Sequence, residues 1–259
     1  MSTKRLRARD EPCFVARSLR VAIRAGHVIA PHSHPWHQLI YSTAGVMTVA
    51  AEQGLWVVPP HWAIWAPAGV RHGIKFTGAS TFATLYLRPS AATNRLSASR
   101  VITVAPLLRE LIVRTCEEGA LDRRKAEHRA IALLIVDLLQ TQPVPTLGLP
   151  MPMSEVLRRV AEYCSDRPSA SLGNAAVARR FGLGLRTLER SFESETGMTF
   201  GLWRREARFL HGLRLLAQGV PVKRVSTETG YQSPSAFVAA FKARFETTPG
   251  RYFADYSGG

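Results

Sequence analysis

Cysteine is scarce in this 259-residue chain. Cys13, Cys116 and Cys164 are far apart and odd in number, so they fit neither a disulfide framework nor a thiolate metal site. They read as free thiols of a reducing compartment. Acidic side chains are also few: 19 Asp and Glu stand against 34 Lys and Arg, a formal net charge of +15. That balance favours a polyanionic partner, most simply nucleic acid. Lysine is rare too, and most of the basic residues are arginine, as a GC-rich genome would also produce. Residues 1–150 carry more of the excess charge than residues 151–259, so charge alone does not locate a binding face. No stretch reaches the roughly 18 apolar residues of a membrane helix, which excludes a helical membrane span. Lys4, Arg5, Arg7 and Arg9 have no apolar run behind them, so residues 1–13 read as a flexible arm and not a secretory signal.

The remaining chain divides by pattern. From 14 to 88, short apolar runs alternate with turn signals such as Ala25–Gly26, Ala44–Gly45, Pro59–Pro60 and Ala68–Gly69. Strands are expected at 36–42, 46–51, 55–58, 62–66 and 81–87, in a sandwich or barrel. The period then becomes helical. Leu107, Leu108, Leu111, Ile112 and Thr115 form one stripe, and Ile131, Leu134, Ile135, Leu138 and Leu139 another. Such stripes need a partner, either the β-rich part or a second subunit. Residues 101–141 are therefore the expected linking and dimerisation region, after a β-rich domain at 14–100. The proline-rich stretch 142–153 reads as a semi-rigid linker, and 154–256 as a helical domain.

The last hundred residues repeat one unit. Ala178 stands four before Gly182, followed by Leu188 and Phe192; Ser226 stands four before Gly230, followed by Phe237 and Phe241. A small residue, a glycine four later and apolar residues four apart are the spacing of a helix, a tight turn and a second helix. The units are expected at about 173–196 and 221–245, joined by a helix over 200–217 that Thr199 can cap. That helix is roughly 27 Å long. The second helix of each unit can then enter successive major grooves, about 34 Å apart.

The set Glu195–Thr196–Gly197, Leu215–Leu216, Gly230–Tyr231, Ser235–Ala236–Phe237, Phe241–Lys242–Ala243–Arg244–Phe245 and Thr248–Pro249 resembles the AraC/XylS family of transcription regulators. The resemblance covers about 100 residues and implies binding of double-stranded DNA. There are departures. Ser226 stands where alanine is usual, Glu246 where glycine is usual, Gly184 where a serine cap is usual, and Asn174 where a core leucine is common. The first unit is accordingly expected to start raggedly. In its second helix Arg186, Thr187, Glu189 and Arg190 take the polar side. Arg190 is the expected base reader, since arginine bonds guanine O6 and N7 together. The matching face of the second unit offers Ser233, Ser235 and Ala239, which suit backbone contacts and shape readout better than base readout.

One histidine cluster stands out. His32 and His34 share a strand face, Trp36, His37 and Gln38 follow at once, and His72 lies in a later turn-and-strand segment after Pro67–Ala68–Gly69. Three imidazoles on a concave face suit Zn, Fe, Ni or Co. The spacing Gly26, His32–Ser33–His34, Gln38, Gly45, then Pro67–Ala68–Gly69 and His72, resembles the cupin family over roughly 26–76. Gln38 replaces the usual glutamate there, His61 a glycine and Phe76 an asparagine. A cupin-like sensor ahead of two helix-turn-helix units is also the usual AraC-family layout. The histidines can hold a metal, line an organic-ligand pocket, or be structural, and the sequence leaves these open.

The expectation is thus an α+β chain: an N-terminal cupin-like β-barrel with linking helices, and a C-terminal all-α domain with two helix-turn-helix motifs. It is expected to be a regulator, activator or repressor, of the bacterial cytosol. It would act as a homodimer, sense a small molecule or metal, and contact RNA polymerase if it activates. A metal-dependent cupin enzyme carrying a DNA-binding appendage is disfavoured by Gln38 and by the lack of another catalytic constellation. A general architectural DNA binder is disfavoured by Arg186 and Arg190 and by the pocket domain.

Overall fold

The computed structural model describes residues 13–51, 54–91, 96–141, 148–166, 168 and 172–254. The expected N-terminal arm therefore lies outside the described residues apart from Cys13, as do residues 142–147 of the expected linker. The chain divides into two compact units. One is built from residues before Gly148, and the other from Gly148 onward together with residues 53–57.

The elements up to Thr141 are β1 (Phe14–Ile23), β2 (Val28–His32), β3 (His37–Ala44), β4 (Met47–Ala51), β5 (Gly54–Val58), β6 (Trp62–Ala66), β7 (His72–Phe76), β8 (Ser80–Leu87), β9 (Arg100–Thr103), α1 (Pro106–Glu118), β10 (Ala120–Asp122) and α2 (Ala126–Thr141). In the first unit, six strands form an antiparallel sheet in the order β10-β1-β8-β3-β6-β9. A second sheet there runs β4-β7-β2, also antiparallel. The two face each other across Phe76 and Phe82, whose rings meet edge to face at 5.4 Å.

The two sheets are the cupin-like arrangement expected, and the barrel they outline is not closed. Closure needs edge strands to hydrogen-bond to one another, whereas β10 and β9 end the six-stranded sheet at opposite sides. Helices cover the larger sheet. Leu108 and Ile112 of α1 and Ile135 and Leu139 of α2 join Leu39, Tyr41, Trp65, Leu85 and Leu87 in one buried cluster. The larger sheet is therefore a middle layer, and β6 is buried at every position. The two helical stripes thus find the β-rich layer as partner on their inner sides. Leu107, Leu133 and Leu134 stay exposed, at 53%, 71% and 39%.

The second unit opens with β11 (Leu149–Pro150), which pairs with β5, Leu149 opposite Leu55. This stretch was expected as linker. Its strand pairing is non-local, and the Trp203 indole N–H donates to the Pro150 carbonyl at 2.8 Å. The helices are α3 (Glu155–Asp166), α4 (Asn174–Arg180), α5 (Leu185–Thr196), α6 (Phe200–Ala217), α7 (Val222–Glu228), α8 (Pro234–Phe245) and α9 (Pro249–Ala254). Gly182 and Gly230 take φ of 70° and 71° in the turns after α4 and α7, the left-handed conformation that glycine adopts without a Cβ penalty. Thr199 caps α6 by accepting from the Leu202 N–H. Asn174, at the start of α4, accepts from Arg204 of α6 at 2.8 Å, so this polar side chain ties two helices where an apolar one would have packed. Phe209, Phe237, Phe241, Phe245 and Tyr252 form an aromatic core around α6, α8 and α9.

Candidate functional site

In the second unit, α4 and α5 make one helix-turn-helix and α7 and α8 the other. Leu188 and Phe192 are fully buried, which turns Arg186, Thr187, Glu189 and Arg190 of α5 outward, all four exposed. Neither Arg186 nor Arg190 forms an ion pair among the described residues, so both guanidinium groups are free to reach a duplex. The face of α8 differs. Ser233 is the N-cap, its hydroxyl accepting from the Ala236 N–H at 3.1 Å and bonded to the Ser235 hydroxyl at 2.9 Å. The cap role thus occupies Ser233 and engages Ser235. Gln232, exposed just ahead of the cap, was absent from the expected readers. A turn residue carries no helical-face signal, yet its amide is of the type that reads adenine.

One further contact braces α5. The Glu195 carboxylate, near its C-terminus, accepts from the backbone N–H groups of Met153 and Ser154 at 2.8 and 2.9 Å. Burial works against its ionised form, but these bonds outweigh it and hold the carboxyl below the usual range. Glu195 thereby supplies the cap for α3 from outside that helix.

In the first unit, β2 and β7 pair with His32 opposite His72, and β3 pairs with β8 with Gln38 opposite Tyr86. This brings His32, His34 and His72 together, one ligand nitrogen from each lying within 4.8 Å of the others. Each Nδ1 faces a backbone carbonyl: Ala30 for His32 at 2.9 Å, Trp36 for His34 at 2.8 Å and Val70 for His72 at 2.9 Å. A carbonyl only accepts, so the proton of each neutral ring sits on Nδ1, and each Nε2 keeps its lone pair. The Gln38 side-chain oxygen lies 2.9 Å from Nε2 of both His34 and His72. Burial pushes the His72 imidazole down to about 4, with the neighbouring His32 and His34 acting in the same direction. His72 is therefore neutral at pH 7. Burial likewise raises the Tyr86 phenol, whose ring meets His34 edge-on at 5.3 Å.

Two expected pocket residues sit elsewhere. His37 accepts from the Ala68 N–H at 2.9 Å and lies against Trp65, on the opposite face of β3 from Gln38. Trp36 is 2% exposed, beneath the Arg88 guanidinium. Thr84, absent from the expected set, is fully buried on β8 and accepts from the Gln38 amide at 2.9 Å. A threonine in a strand is unremarkable in sequence, and only strand register reveals it.

A histidine-lined two-sheet domain joined to two outward-facing helix-turn-helix units defines a class: ligand-responsive DNA-binding regulators. Comparison with known proteins agrees. Residues 16–143 match the AraC-like ligand binding domain family, and residues 177–255 match a helix-turn-helix domain family. The HTH-type transcriptional regulator NimR of Escherichia coli (strain K12) is 32% identical over 223 residues, 86% of this chain and 81% of that protein. RipA of Corynebacterium glutamicum, also an HTH-type transcriptional regulator, is 31% identical over 114 residues, 44% of this chain and 34% of its own. Among solved structures, ToxT from Vibrio cholerae O395 aligns over 95% of this chain and 99% of its own, with 9% identity and a TM-score of 0.41. The DNA-binding domain of AdpA in complex with a target DNA aligns over 40% of this chain and 94% of its own, with 28% identity and a TM-score of 0.36. The chain belongs to the AraC family of transcriptional regulators, with a ligand-binding domain and a helix-turn-helix DNA-binding domain.

Proposed function

We propose that this regulator holds a divalent transition metal ion, Zn, Fe, Ni or Co, on His32, His34 and His72, and that this site sets DNA binding by the C-terminal unit. One observation carries the reading. One nitrogen from each imidazole lies within 4.8 Å of the others, the Gln38 oxygen lies 2.9 Å from Nε2 of His34 and His72, and all three Nδ1 atoms face backbone carbonyls. Rings whose Nδ1 donates to a carbonyl turn their Nε2 lone pairs inward, and lone pairs gathered with an amide oxygen suit a cation among them. Imidazoles whose far nitrogen donates to a carbonyl are also the usual outer arrangement of metal-bound histidine. The ion would supply charge and ligand affinity; the chain supplies the fixed imidazoles.

Arg190, with Arg186, Thr187 and Glu189, reads bases in one major groove, while Ser235 and the capped end of α8 contact backbone in the next. The protein acts in the cytoplasm as a homodimer on double-stranded DNA and meets RNA polymerase where it activates. It is a regulator without catalytic turnover. No helix among the described residues is long and apolar enough to cross a membrane.

The test is metal content of protein purified without chelators or an affinity tag, beside His72→Ala. Near-stoichiometric metal that disappears in the variant supports the site. A metal-free wild type alongside a folded, DNA-binding variant would overturn it and leave an organic ligand as the effector.

A further inference from the structure

Gln38 stands where a carboxylate would make this a tight, charge-compensated metal site. Its surroundings show that the amide is held in one orientation. The Thr84 hydroxyl has one proton, and it donates that proton to the Leu39 carbonyl at 2.8 Å. Thr84 can therefore only accept from Gln38, which it does from the amide nitrogen at 2.9 Å. With its NH2 so engaged, Gln38 must turn its oxygen toward His34 and His72. Gln38 is 1% exposed and Thr84 fully buried, so water does not compete for either group.

We propose, building on the metal reading above, that Gln38, oriented by Thr84, is a neutral fourth ligand, and that the bound divalent ion exchanges and is itself the effector. Three imidazoles and an amide bring no negative charge. A filled site then keeps the full charge of the ion, and a carboxylate would remove one unit of it. Amide oxygen is also a weak ligand for the ions that imidazole prefers. Both effects loosen the ion, which suits a signal that comes and goes. Thr84 is a positioning residue: it touches the ligand amide and not the ion.

The experiment uses the whole chain as purified, stripped of metal, and titrates Zn(II) and Co(II) against a chromophoric chelator. Wild type is compared with Gln38→Glu, Thr84→Val and Thr84→Ser. DNA selected from a random pool is then bound with and without Zn(II). Wild type should release its ion to excess chelator within minutes, and DNA affinity should change at least about tenfold with the ion. Gln38→Glu should bind about tenfold tighter or more, and gain more thermal stability from Zn(II) than wild type does. Thr84→Val should bind about tenfold weaker at unchanged circular dichroism, and Thr84→Ser should restore affinity. Metal binding by wild type with affinities unmoved in all three variants would overturn the role of Gln38. An ion that resists chelator for days, or leaves DNA binding unchanged, would overturn the effector role. No binding of either ion by any variant would instead defeat the underlying metal reading.

Discussion

Glu246 is the one non-glycine residue with positive φ among the described residues, at 57° in the C-cap of α8. A Cβ in that region crowds the following carbonyl, at a cost of roughly 1 kcal/mol. Glu246→Gly should raise stability by about that amount, read as a higher urea midpoint at unchanged m-value. A lower midpoint would mean that the glutamate side chain contributes more than its backbone costs. Gly184 is the counterpart. It caps α5 without a side-chain bond, and an added Cβ would meet only the Thr187 hydroxyl at 3.7 Å. His72 carries the pH dependence. Its folded value of about 4 lies below the ordinary 6.5. Between those values the unfolded chain binds a proton that the folded chain refuses. Stability is full above pH 6.5 and is lost as pH falls toward 4. In metal-stripped protein the loss should be on the order of 2–3 kcal/mol, and His72→Gln should flatten it. A wild-type urea midpoint that stays level between pH 7 and pH 4.5 would contradict a buried neutral imidazole. Much of this site was readable in the sequence, because His32, His34 and Gln38 are near neighbours and Pro67–Ala68–Gly69 announces His72. Thr84 was not readable, because it meets Gln38 only through the register of β3 on β8.

Among elements, helices were more legible than strands. Caps and apolar periods are local, so Thr199 and Pro234 mark the starts of α6 and α8, and the Leu188–Phe192 spacing marks the buried face of α5. Strand pairing is not local. The pairing of Leu149 with Leu55 lies inside a proline-rich stretch that reads as linker, and nothing nearby announces its partner. The stripes of α1 and α2 were legible as apolar, but the sequence did not say which members would face the sheet. Helix crossings are equally hidden, and Gly212 in α6 is the sharpest case. A Cβ there would lie 2.8 Å from the Phe237 ring and 3.2 Å from the Thr229 methyl, both fully buried. Alanine favours a helix over glycine by about 1 kcal/mol. Overpacking a close crossing costs about 1–3 kcal/mol. The crossing should win, so Gly212→Ala should lower the melting temperature; a rise would show that α6 and α8 have room to separate. The two recognition helices give a paired prediction. Arg190→Ala should cost about 1–3 kcal/mol on the selected site and relax preference at one position, while Ser235→Ala should weaken all sequences alike. Equal loss of sequence preference from both changes would contradict the division of labour between α5 and α8.

At the scale of the molecule, charge and exposed apolar surface bear on assembly. The positive excess is spread along the chain, so on the proposed reading the affinity for DNA comes from the exposed arginines of α5 rather than from net charge. Each phosphate neutralised adds close to one unit to the slope of log affinity against log salt. A homodimer on two half-sites doubles the number of such contacts. Leu133 of α2 is 71% exposed and Leu107 of α1 is 53% exposed, with Leu134 beside Leu133 at 39%, on helices whose inner faces are buried against the sheet through Leu108, Ile112, Ile135 and Leu139. Apolar side chains left outward in this way suit a second copy of the chain. Leu133→Glu should then shift the protein toward monomer in analytical ultracentrifugation and cut the salt slope on selected DNA by about half. The same substitution should leave metal affinity unmoved, because Leu133 lies outside the histidine cluster. A variant that stays dimeric with the full slope would place the dimer contact away from α2. A wild type that is monomeric, with the same slope as the variant, would mean that one chain occupies DNA through its two helix-turn-helix units alone.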